Sequence, residues 1–110
     1  MEEFVKGDVV VLPFPFSDLS NSKKRPALVV AELEGDDIIL CQITSEARVD
    51  KYFLILNNKD FKKGSLPLTS SIRPNRLFTA DKSIILYKSG SLKESKIKEV
   101  EQVIVKMFTK

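Results

Sequence analysis

Histidine is absent from this chain of 110 residues, which also has one cysteine, no tryptophan and four glycines. Each shortage excludes chemistry. Without histidine, no Ser-His-Asp or Cys-His nucleophilic arrangement can be assembled. With a single cysteine as well, no zinc site of common spacing is available, so neither a metal nor a cofactor is expected. The few glycines are dispersed and build no phosphate-cradling loop. The carboxylates lie scattered among lysines and offer no paired acid and base. Apolar runs fall well short of the ~20 residues needed to span a bilayer. The first residues, Met1-Glu2-Glu3-Phe4, are acidic and lack the apolar core of a signal peptide. Cys41 has no partner for an internal disulfide and sits among Ile38, Ile39, Leu40 and Ile43, as a small buried hydrophobe would. A reducing, cytoplasmic setting without membrane is expected.

Apolar residues make up 43% of the chain, enough for a globular domain, and one domain over residues 1–110 is expected. Eighteen basic against fifteen acidic side chains leave a net charge of +3, which permits an anionic partner without requiring one. Asp8 to Leu12 reads as a first strand, closed by Pro13-Phe14-Pro15-Phe16 because proline donates nothing to a ladder. Ser17 to Lys24 is polar and reads as a loop. Arg25 to Glu32 and Asp37 to Thr44 form a hairpin. A two-residue turn at Glu34-Gly35 would set Arg25 opposite Thr44, and one at Gly35-Asp36 would set it opposite Glu46. Either register keeps Arg25, Ala27, Val29 and Ala31 on one face with Ile38, Leu40, Gln42 and Thr44. The other face, with Leu28, Val30, Ile39, Cys41 and Ile43, is uniformly apolar and is expected to be the core.

Tyr52 to Leu56 is a further strand, turning at Asn57-Asn58, and Lys63 to Pro67 a loop. Leu68 to Ser71 and Arg76 to Tyr87 read as extended on either side of Arg73-Pro74-Asn75, with Ile72 and Leu77 as core anchors. Ile97, Val100, Val103, Ile104 and Met107 then recur at helical spacing, behind a capping-box pattern at Ser91-Leu92-Lys93-Glu94. Short strands followed by one helix give a mainly β fold with a C-terminal helix, a small antiparallel β-barrel.

Taken singly, the polar residues of these segments have plain readings. Arg25 is either a phosphate-binding fork or a surface partner of Asp18 or Glu46. Thr44 and Ser45 suit a strand end. Thr69, Ser70 and Ser71 with Arg73 and Arg76 make either an anion-binding loop or a solvated connection. Phe14 and Phe16 suit base stacking, or equally core or a dimer contact, the latter preferred.

In combination they say more. Gly7-Asp8-Val9-Val10, Lys24-Arg25-Pro26-Ala27-Leu28-Val29, Gln42-Ile43-Thr44-Ser45 and Ser71-Ile72-Arg73, in that order, resemble the MazF/PemK family of toxin ribonucleases from about Lys6 to the terminal helix. The resemblance implies an SH3-like barrel of the CcdB/PemK kind, a homodimer, and metal-independent cleavage of single-stranded RNA. It also implies a cognate antitoxin that lays a flexible segment, expected to be acidic and disordered, across the RNA groove. By motif, Arg25 and Thr44 carry over as the residues acting on the scissile phosphate. Lys24, Ser45, Ser71, Arg73 and Arg76 are the expected RNA contacts around them. Some family members place an acidic residue beside the third-segment arginine; here Ser70 and Ser71 precede Ile72-Arg73. The alternatives are a CcdB-like gyrase poison, disfavoured by the missing tryptophan and the Met107-Phe108-Thr109-Lys110 end, and an inactive module on the same scaffold.

Overall fold

Residues 3–14, 23–46 and 50–110 are described by the computed structural model. Residues 17–22 of the loop expected from Ser17 to Lys24, the pairing of Arg25 with Asp18 and the placement of Phe16 lie outside them. Among the described residues seven strands make one sheet: β1 (Asp8–Phe14), β2 (Lys23–Glu32), β3 (Asp37–Thr44), β4 (Leu54–Leu56), β5 (Phe61–Gly64), β6 (Ser70–Asp81) and β7 (Tyr87–Leu92). One helix, α1 (Glu94–Phe108), follows. The spatial order is β4-β6-β3-β2-β1-β7-β5, every neighbouring pair antiparallel. The sheet curls into a half-barrel with the helix packed on it, so the expected mainly β fold with a C-terminal helix is found.

Alternation along β1 to β3 sends side chains to two faces. On one, Val9, Leu28, Cys41, Ile43 and Ile72 pack with Leu56, Phe61, Leu66 and Leu92, and Ile97, Val100 and Ile104 of α1 close over them. This is the face expected to be core. The opposite face is buried as well: Val10, Leu12, Phe14, Ala27, Val29, Ile38, Leu40 and Ala80 form a second cluster with Phe4. Phe14 sits edge-on to Phe78 with ring centroids 4.9 Å apart and is buried within this cluster.

Several elements depart from the sequence reading. The hairpin turn is longer than two residues: Leu33 N–H donates to the Asp37 carbonyl (3.3 Å), and Gly35 takes the left-handed φ of +80° inside the turn. That turn would shift the pairing by one, but a bulge at Val30 restores it, and Ala27 faces Gln42 as expected. β1 runs on through Pro13 because beyond Val11 it has only β2 alongside, so the missing amide breaks no second ladder. Lys23 and Lys24 consequently belong to β2. The third segment is one long strand whose bulge absorbs Pro74: Arg73 opposes Gln42 and Leu77 opposes Cys41, with Pro74, Asn75 and Arg76 looped out between them. A 3-10 turn at Lys82–Ile84 interrupts the stretch expected to stay extended to Tyr87.

Lys63 and Gly64, expected in a loop, end strand β5, which crosses β7 so closely that a side chain on Gly64 or Gly90 would meet backbone. The capping box at Ser91 is absent. The Ser91 hydroxyl donates to Asp8 Oδ1 across the β1–β7 ladder (2.9 Å), and α1 starts two residues later with Lys93 at its N-cap. There the Lys93 amide donates to the Asp60 carbonyl (2.9 Å), which fixes the helix entry without a side-chain cap.

Candidate functional site

Pro26 organises the surroundings of Arg25. It lies opposite Val11 on β1, and on its other side it has no N–H to give β3. The β2–β3 ladder accordingly ends at Ala27–Gln42. Beyond that point each strand is held by its outer neighbour: Arg25 opposes Leu12 of β1, and Thr44 opposes Ser71 of β6. Because Arg25 lies two residues from Ala27, and Thr44 two from Gln42, the guanidinium and the hydroxyl leave the same face of the sheet. Gln42, Ser71 and Arg73 share that face, with directly opposed pairs roughly 5 Å apart at Cβ. Its apolar floor is the second cluster, Leu12 and Ala27 foremost.

Arg25 is half-buried and has no acidic partner among the described residues; the expected alternative of a pair with Glu46 is not present there. Thr44 is buried to 5% exposure, and its Oγ1 accepts the Glu46 amide at 3.1 Å. That turn uses a lone pair and leaves the hydroxyl proton free to donate. Lys24 is exposed but points to the opposite face from Arg25, whereas exposed Lys23, which sequence reading left in the loop, shares Arg25's face. Ser45 is exposed just past the end of β3. Arg76 is exposed on the looped-out bulge and is thereby removed from the row.

Arg73 is the least expected member. It is buried, and its Nη2 donates to Asp50 Oδ2 at 3.0 Å. Asp50 sits between β3 and β4, far from Arg73 in sequence, and drew no notice there. Its Oδ1 accepts the Tyr52 and Phe53 amides at 2.8 and 3.0 Å, and Asn75 Nδ2 lies 3.5 Å from Oδ2. The Tyr52 amide above all, helped by Arg73 and the Phe53 amide, holds the Asp50 carboxyl below its ordinary range against the opposing effect of desolvation. Arg73 Nε is sealed from solvent without an acceptor among the described residues. A buried donor left unmade costs about 1–3 kcal/mol, which natural sites seldom carry without use.

Elsewhere the chemistry is quiet. Burial pushes the Cys41 thiol up to about 12, so it stays a neutral hydrophobe as expected. Among the described residues no three His, Cys, Asp or Glu side chains gather closely enough to hold a metal ion. An apolar cleft of about 440 Å³ opens between the end of α1 and strands β2, β3 and β6, but Glu101 is the one ionisable residue lining it.

The whole curled sheet with its helix superposes on solved structures. MazF from Deinococcus radiodurans matches over 100% of both chains with a TM-score of 0.76 at 18% identity. An endoribonuclease in complex with its cognate antitoxin from a Mycobacterial species matches over 96% of this chain and 95% of that one, TM-score 0.75, 15% identity. Mycobacterium tuberculosis toxin MazF-mt6 matches over 92% and 95%, TM-score 0.72, 14% identity. At such identities the likeness speaks for fold alone. No curated protein matches by sequence. The family model for the PemK-like, MazF-like toxin of type II toxin-antitoxin systems, however, matches residues 5–108. Since that span takes in the whole sheet, the whole helix and every residue of the candidate site, this chain belongs to the PemK-like, MazF-like toxin family.

Proposed function

We propose that this protein is a toxin that cleaves single-stranded RNA without a metal ion, using Arg25 and Thr44 at the scissile phosphate. RNA carries its own nucleophile. The 2′-oxygen forms a bond to the adjacent phosphorus as the bond to the 5′-oxygen breaks. The 2′-hydroxyl loses its proton, the departing 5′-oxygen gains one, and the products are a 2′,3′-cyclic phosphate and a 5′-hydroxyl. The protein must orient the linkage and stabilise the charge that gathers on the non-bridging oxygens. Arg25, permanently charged and without an acidic partner among the described residues, supplies a planar fork for those oxygens. Thr44 adds a hydroxyl donor whose lone pair is already engaged by the Glu46 amide.

The observation that carries this reading is the shared face of Arg25 and Thr44 at the point where the β2–β3 ladder ends. Lys23, Ser71 and Arg73 on the same face, with Ser45 just past the end of β3, add donors for neighbouring phosphates, while Lys24 on the opposite face and Arg76 on the bulge stand outside this row. A cytoplasmic homodimer and inhibition by a cognate antitoxin belong to the same reading. Solved structures with this fold include an endoribonuclease bound to its cognate antitoxin and a MazE-MazF complex.

Incubation of the purified protein with a mixed single-stranded RNA pool in excess EDTA tests the reading. Fragments bearing 5′-hydroxyl and 2′,3′-cyclic phosphate ends are expected. Intact RNA at micromolar protein, or cleavage that EDTA abolishes, would contradict it.

A further inference from the structure

Building on the RNA-cleaving reading, we infer that Asp50 is a positioning residue: it fixes the Arg73 guanidinium on the site face and leaves the remaining N–H donors of Arg73 for an RNA phosphate. Three observations converge. Arg73 opposes Gln42 and lies two residues from Ser71, which in turn opposes Thr44, so it stands one step along the site face from Thr44. Its position is fixed from outside its own strand, by the 3.0 Å bond from Nη2 to Asp50 Oδ2. Nε, meanwhile, is buried with no acceptor among the described residues, so Asp50 does not use up the donors of the guanidinium.

Asp50 is well made for holding and poorly made for proton transfer. Its other oxygen accepts the Tyr52 and Phe53 amides, so the carboxylate is anchored to backbone. A carboxylate stabilised in this way is a weak base. A negative charge beside the phosphate path also opposes RNA binding. Orientation is therefore gained against affinity, and this opposition separates positioning from general support of the fold.

Asp50→Asn tests the inference. Asparagine still accepts the two amides and suits the turn, but removes the charge that holds Arg73. Single-turnover cleavage of one RNA oligonucleotide at saturating protein gives the rate, and the same oligonucleotide with 2′-deoxy sugars gives affinity at fixed salt. Asp50→Asn is expected to cleave at least tenfold more slowly while binding as tightly as wild type or more tightly. Arg73→Lys should lose a similar factor, and the double variant no more than Arg73→Lys alone, because the two residues act as one unit. Wild-type activity with an Asp50→Asn rate within threefold of it overturns the inference alone, as do losses that multiply or a loss of affinity that matches the loss of rate. Wild-type protein that leaves RNA intact overturns the parent reading and this inference with it.

Discussion

Replacing Asp8 with alanine should destabilise the protein by about 3 kcal/mol while leaving the chemistry of the folded molecule intact. Asp8 is 2% exposed, yet its carboxylate engages three groups: it accepts from the Val5 amide (2.9 Å) and the Ser91 hydroxyl (2.9 Å), and it pairs ionically with the Lys88 ammonium (3.3 Å). These ties join the segment before β1 and strand β7 to the start of β1. Alanine would orphan all three donors. The first two are only partly buried, so each loss sits near the low end, about 1 kcal/mol. Lys88 keeps a side chain 29% exposed, so water and salt offset much of its loss and about 1 kcal/mol remains. In a chain of this length each kcal/mol moves Tm by roughly 4 °C, which makes a fall of roughly 12 °C. Asp8→Asn keeps one carbonyl oxygen and should lose about half as much. Asp8 lies four residues along β1 from Leu12, the residue opposite Arg25, or about 13 Å. RNA cleavage per folded molecule should therefore not change. Urea unfolding followed by circular dichroism, with cleavage measured well below the midpoint, checks both halves. A loss under 1 kcal/mol, or a folded variant that no longer cuts, would refute the reasoning.

Three further outcomes are expected. Gly90→Ala should lose about 2–3 kcal/mol by denaturant titration, because its new methyl would meet the Lys63 carbonyl and the Phe61 ring where β5 crosses β7; an unchanged midpoint would show that the crossing has slack. Cys41 should resist Ellman's reagent at pH 8 in the folded protein and react once urea is added, since burial holds its thiol near 12; stoichiometric labelling in native buffer would contradict this. Asp50 has a folded pKa below its unfolded value of about 3.9, so its contribution is complete above about pH 5 and is lost as pH falls through the folded value. The stability gap between wild type and Asp50→Asn should thus be constant from pH 5 to 7 and narrow below about pH 4, and a gap that widens in acid would invert the assignment.

The residues themselves show which parts of this structure were legible in the sequence. Parity along the hairpin follows from a period of two, so the common face of Arg25 and Thr44 could be read without coordinates. Of the two registers left open, the one that sets Ala27 opposite Gln42 is found although neither two-residue turn is, because the bulge at Val30 cancels the longer loop at Leu33 to Asp37. Bulges leave no composition signal, and the same blindness split β6 in two at Pro74, whose missing amide is accommodated by looping out three residues. Helical periodicity placed α1 correctly, yet the capping pattern at Ser91 was a decoy, since Asp8 claims that hydroxyl. The apolar face under the helix was foreseen. Burial of the opposite face was not, because curling of the sheet is a property of all seven strands together. Asp50 was invisible for a similar reason: only the folded chain brings it to Arg73, and no local pattern marks a partner 23 residues away.

The most direct test of the central claim is a double-mutant cycle on the rate of cleavage. Single-turnover rates on one RNA oligonucleotide would be measured for wild type, Arg25→Ala, Thr44→Val and the pair, all shown to be folded. If both side chains grip one phosphate, each single change should slow cleavage by about 10²–10³-fold, and the pair by much less than the product. A folded Arg25→Ala or Thr44→Val variant that cuts within threefold of wild type would contradict the account.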